Sequence, residues 1–205
     1  MQKVGERKTR SDKKRTVIPV LQLDIKDAIF RLSHVTHTPI KDVCEYLVVY
    51  VIKDRETLDI LSRQFKRGIT LNTTHYFGDL NSPPIEKRIK TATVRVTVRF
   101  TGQDYDTISA LAYALDCTPT RATSILLSMA IQNVAAVNAY VRDYLVDELS
   151  EGQLRELRQL LTYVNRYSND NHSWLTLLSA IIGDIRPAMR SLREIVNEFI
   201  RNHKR

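Results

Sequence analysis

The clearest pattern of apolar and polar positions runs from Thr93 to Phe100. Val94, Val96, Val98 and Phe100 share one face of this run, and Thr93, Arg95, Thr97 and Arg99 share the other. A strict period of two predicts a half-buried β-strand. Thr101-Gly102-Gln103 ends it, and Tyr105, Ile108, Leu111, Ala112 and Leu115 then recur at helical spacing, which predicts a helix from about Asp104 to Leu115. Thr118-Pro119 reads as an N-cap followed by proline at the first helical position, where a missing N–H costs nothing. Ala122, Ile125, Leu126, Met129 and Ala130 carry that second helix, which continues or re-forms through Val134, Val137 and Val141.

The same order occurs earlier in the chain. An extended run from Thr16 to Gln22 precedes a predicted helix from about Asp24 to Val35, and Thr38-Pro39 opens a long apolar helix to about Ile52. At an offset of 80, Asp24 matches Asp104, Thr38-Pro39 matches Thr118-Pro119, Lys41 aligns with Arg121, and Leu47 matches Leu127. A further helix is predicted from Asp54 to Lys66, closed near Gly68. Leu71 to Pro84, rich in Asn, Gly, Ser and Pro, reads as a linker across the surface. After Tyr140 the pattern is wholly helical: Ser150-Glu151-Gly152-Gln153 fits a capping box, Ser168-Asn169-Asp170-Asn171 ends one helix, and another runs from about Ser173 to a kink at Pro187. The expected organisation is a basic arm (1–15), a first repeat with an extra helix (16–67), a linker (68–92), a second repeat (93–149) and a C-terminal helical region (150–205).

Composition changes this picture little, and charge changes it more. The chain has 205 residues, 43% of them hydrophobic and 26% charged, enough apolar content for a core. No apolar run approaches the roughly 20 residues of a bilayer-spanning helix. The first ten residues have no apolar stretch of the kind a secretory signal needs, so a cytoplasmic protein without a membrane partner is expected. The formal charge of +8 is concentrated at the ends. Lys3, Arg7, Lys8, Arg10, Lys13, Lys14 and Arg15 outnumber Glu6 and Asp12, and Arg201, Lys204 and Arg205 make the C-terminus basic, which leaves the body neutral. Within the body, Lys87, Arg88, Lys90, Arg95 and Arg99 form a basic run into the alternating strand. A basic arm beside a basic strand points to a nucleic-acid partner.

The stretch RVTVRF, then TGQDYDTISALAYALDCTP, then TRATSILLSMAI, resembles the ribbon-helix-helix family of DNA-binding regulators, the class that includes the Arc and MetJ repressors. It spans Val94 to Asn133, about a fifth of the chain; Arg15 to Ile52 resembles it more weakly. Physics supports the likeness, because a unit of roughly 45 residues cannot bury enough apolar surface to be stable alone. The resemblance implies a mainly α fold with a short β-ribbon, in which two ribbon-helix-helix motifs in one chain form an intramolecular pseudo-dimer. It also implies a ribbon that enters the major groove of double-stranded DNA. The base-reading positions fall on Arg95, Thr97 and Arg99, whose chemistry suits guanine and thymine edges. Phosphate contacts fall on Thr118, Thr120 and Arg121 at the start of the second helix, with Lys13, Lys14, Arg15 and Lys90 as basic residues flanking the ribbon. In the first repeat the same offset turns Arg15, Val17 and Pro19 outward; alternatively its register differs by one residue and exposes Gln22. Pro19, lacking an N–H, is expected to face away from its partner strand.

No phosphate loop, zinc-protease motif or catalytic constellation is present, so no enzyme activity, cofactor or metal is expected. His34 and His37 could share a helical face near Cys44, but surface or capping histidines are the plainer reading. Trp174 is expected to pack among the C-terminal helices. The leading expectation is a sequence-specific DNA-binding protein acting as a transcriptional repressor. Two alternatives are a DNA-organising accessory protein for conjugation or segregation, and an antitoxin-like or scaffolding protein that works through its C-terminal helices. Those helices are also the expected route to a homo-oligomer.

Overall fold

The computed structural model describes residues 14–82, 85, 92–148, 150–152, 155, 159 and 162. Of the C-terminal helices expected beyond Gln153, only Arg155, Gln159 and Thr162 are described, all three helical; the rest, with Trp174 and Pro187, lies outside the described residues, as do the basic termini before Lys14 and after Phe199. The described chain is mainly helical, with short antiparallel strand pairs.

Two strands near the start, β1 (Arg15–Val17) and β2 (Val20–Gln22), lead into α1 (Leu23–Thr36) and α2 (Ile40–Val51). Later, β5 (Thr93–Arg95) and β6 (Val98–Phe100) lead into α4 (Gly102–Ala114) and α5 (Pro119–Gln132), and strand-helix-helix order recurs. The two extended runs pair with each other in one register: Arg15 lies opposite Phe100, Val17 opposite Val98, Val20 opposite Arg95 and Gln22 opposite Thr93. Pro19 interrupts this ribbon from the inside. It sits opposite Val96 and accepts the Val96 N–H at 3.2 Å, but it has no N–H to return. The expectation that Pro19 faces away from its partner strand is therefore corrected.

Burial also corrects the repeat offset. Val43, Cys44, Leu47, Val48 and Val51 of α2 are buried, and so are Ala122, Thr123, Leu126, Leu127 and Ala130 of α5, each 79 positions further on. His37 and Asp116, also 79 apart, both take left-handed backbone at the end of the preceding helix, with φ of 50° and 53°. The Thr-Pro pairs that suggest 80 do different jobs. Thr118 is a true N-cap and accepts the Arg121 N–H, with Pro119 at the first helical position. In α2 the cap position is Pro39 itself, and Thr38 donates its hydroxyl to the Thr36 carbonyl instead.

The core lies between the inner face of the ribbon and the helices. Val17, Leu21, Val98 and Phe100 from the strands meet Ile29, Leu47, Ile108, Leu111, Leu126 and Leu127 from the helices. α6 (Val134–Glu148) re-forms after a bend of 80° at Asn133. The Asn133 side chain causes it: Oδ1 accepts the N–H groups of Ala135 and Ala136, while Nδ2 donates to Asp54 and Thr57 at the start of α3 (Arg55–Ser62). α6 also docks on the first repeat through a buried Thr36–Tyr140 hydroxyl pair at 2.7 Å and a Tyr46 hydroxyl donating to Asp143 at 2.6 Å.

The segment expected to be a linker is largely built into the fold. It forms a hairpin, β3 (Ile69–Leu71) and β4 (Thr74–Tyr76), turned by Asn72 and Thr73 with φ of 45° and 68°, the pattern of a two-residue hairpin turn. Tyr76 stacks edge-on against buried Phe65, and the Lys66 N–H reaches the Ala114 carbonyl at the end of α4. At Gly78 a Cβ would lie 2.3 Å from the Arg67 carbonyl carbon, so the chain can pass only as glycine. No single helix among the described residues is long and apolar enough to cross a membrane.

Candidate nucleic-acid interface

The ribbon separates its side chains by the strand period. Val17, Pro19, Leu21, Val96, Val98 and Phe100 face the helices and are buried. Thr16 and Ile18, with Thr93, Arg95, Thr97 and Arg99, are exposed on the outer face, and half-buried Val20 and Gln22 complete it. Continuous register sets Thr16 beside Arg99, Ile18 beside Thr97, Val20 beside Arg95 and Gln22 beside Thr93. The aliphatic inner row fixes which way the strand faces, because a slip of one residue would turn every valine to solvent. Arg95, Thr97 and Arg99 thus stand together on one outward row. They form the part of the expected site that the structure does assemble.

In the first strand the structure selects the shifted register. Val17 is 4% exposed and Pro19 is buried, so neither is outward, and Arg15 turns to the helix side, with its guanidinium 5.2 Å from the Tyr105 ring centroid. Gln22 joins the outer face, as the alternative register requires. Sequence reasoning misses Thr16, Ile18 and Val20 because an offset of 80 rather than 79 aligns the first strand with the second one residue out of step. The apolar pair Val17 and Leu21, read with the later helix Ile25 and Ile29, is the signal that could set the inward face.

The expected phosphate residues are dispersed. Lys14 is ion-paired with Glu45 of α2, tying the end of the ribbon to that helix. Lys13 and Lys90 lie outside the described residues. At the start of α5, the exposed Thr118 hydroxyl accepts the Arg121 N–H at 3.2 Å and Pro119 has no N–H, so two of the first-turn positions do not offer a donor to an anion. Thr120 and Arg121 are half-buried on the same turn. One turn further on, Ser124 donates to the Thr120 carbonyl at 3.0 Å and accepts the Val20 N–H at 3.0 Å. That hydroxyl fixes the start of α5 against the edge of the first strand, beside the outer face.

His34 and His37 have ring centroids 6.5 Å apart and are exposed, whereas Cys44 is fully buried in α2. Among the described residues, no group of three or more His, Cys, Asp or Glu is placed to hold a metal ion. Burial pushes the Cys44 thiol up from its ordinary value of 9.0 to about 12, which leaves it a neutral core group. Comparison with protein-family models, curated proteins and solved structures finds no match to this chain.

Proposed function

We propose that this chain binds double-stranded DNA by laying the outer face of its ribbon in the major groove, as an intramolecular ribbon-helix-helix pseudo-dimer that regulates transcription. One observation carries the reading: Arg95, Thr97 and Arg99 stand exposed in a single row on a two-stranded ribbon whose other face is sealed against helices. A two-stranded ribbon fits the major groove. Arginine can bond guanine O6 and N7 with two parallel N–H donors, and threonine offers a hydroxyl or a methyl. The start of α5, held against the ribbon edge by Ser124, is where a flanking phosphate would lie, with Thr120 and Arg121 on the turn that meets it. Residues 150–205, expected from their sequence to be helical, would serve assembly of chains along DNA.

The test is binding of the parent and of the Arg95→Ala/Arg99→Ala variant to the parent's best duplex at one salt concentration. Both side chains are exposed, so the fold should persist. Truncating each arginine that reads a base should weaken binding by about 1–3 kcal/mol. Equal dissociation constants for the two proteins would overturn the reading.

A further inference from the structure

The ribbon is symmetric in its backbone and asymmetric in its outward side chains. The offset of 79 that relates the two repeats makes Ile18 equivalent to Thr97, and the register sets these two residues opposite each other. The axis relating the repeats therefore passes through that pair. Across it, Arg95 corresponds to Thr16, and Arg99 corresponds to Val20. A ribbon of two identical strands would repeat each arginine on the opposite side of the axis. Here both guanidinium groups stand on one strand, and the facing row is Thr16, Ile18, Val20 and Gln22.

The two rows carry different chemistry. Arg95 and Arg99 are four residues apart, roughly 13 Å along a strand, so their guanidinium groups fall on different base pairs, which are spaced about 3.4 Å apart. Ile18 is 47% exposed, a large aliphatic side chain held outward between Thr16 and Val20 and opposite Thr97. Beside Val20 it offers no hydrogen bond, only apolar contact of the kind that fits a thymine methyl.

Resting on the DNA-binding reading above, we infer that one chain reads a non-palindromic site. Guanines are recognised by Arg95 and Arg99 along one row, and thymine methyls are packed by Ile18 and Val20 along the other. Sequence preference is thus directional, and the chain has one orientation on its site.

The experiment recovers duplexes bound by the full-length protein from a random pool at two salt concentrations, and scores symmetry within the unit that one chain protects. Two chains side by side then appear as two copies of that unit. The expected unit has no dyad. Arg95→Ala should relax preference at one guanine and Arg99→Ala at another, each by roughly five- to 150-fold. Ile18→Asn should relax a thymine position and leave both guanines selected. The symmetrised variant Thr16→Arg/Val20→Arg should shift the recovered unit toward a palindrome. A palindromic unit from the parent, or enrichment without any sequence preference, would overturn directional reading while leaving DNA binding in place. No enrichment of duplex DNA at either salt concentration would overturn both.

Discussion

Cys44 has no exposed surface and sits in the middle of α2, and its thiol stays neutral up to a pH of about 12. In the unfolded chain the thiol ionises around its ordinary 9.0. The folded state thus binds this proton more tightly, and the stability it contributes is fully present below pH 9 and is lost as pH rises towards 12. Cys44→Ala should lower stability at pH 7 through the small cavity it leaves. It should also flatten the decline between pH 8 and 10.5, as read from urea midpoints at the two values. That Arg95, Thr97 and Arg99 turn outward was legible from the period of two that runs from Thr93 to Phe100. The facing of Pro19 was not, because the ring forbids a donated bond but does not say whether its carbonyl still accepts one. Val96 decides that by lying opposite.

Among the elements, the two long helices α2 and α5 begin with the same dipeptide and are capped differently. Thr118→Ala removes a hydroxyl that satisfies the Arg121 N–H and should cost about 1 kcal/mol. Thr38→Ala removes only a bond to the Thr36 carbonyl, beside a helix whose cap is Pro39, and should change stability by less than about 0.5 kcal/mol. Chemical denaturation of the two variants checks the contrast. The strand from Thr93 and the helices after it were legible because their periods are clean over a dozen residues. The facing of the first strand was not, since Thr16 to Gln22 has apolar residues on both faces. The hairpin over Ile69–Tyr76 was hidden by its turn: Asn72 and Thr73 read as loop residues, and only Phe65 and the end of α4 give the short strands something to pack on.

For the whole molecule, charge and fold have separate roles. The body is neutral and the ends are basic, so the arm should add salt-dependent phosphate attraction and little specificity. Removing residues 1–13 should weaken binding uniformly across sequences and make the salt slope shallower by about one for each phosphate the arm neutralises, while the ranking of sites stays the same. Binding titrations on two unrelated duplexes over a salt series measure this. By itself the sequence determined the helical class, the strand-helix-helix order in two places, the outward row Arg95, Thr97 and Arg99, and the basic ends. All of these follow from local periodicity and composition. Only tertiary structure decided the register between strands about 80 residues apart, the true offset of 79 and the outward place of Ile18. Each depends on which apolar faces close over one shared core, and no short window of sequence contains that choice.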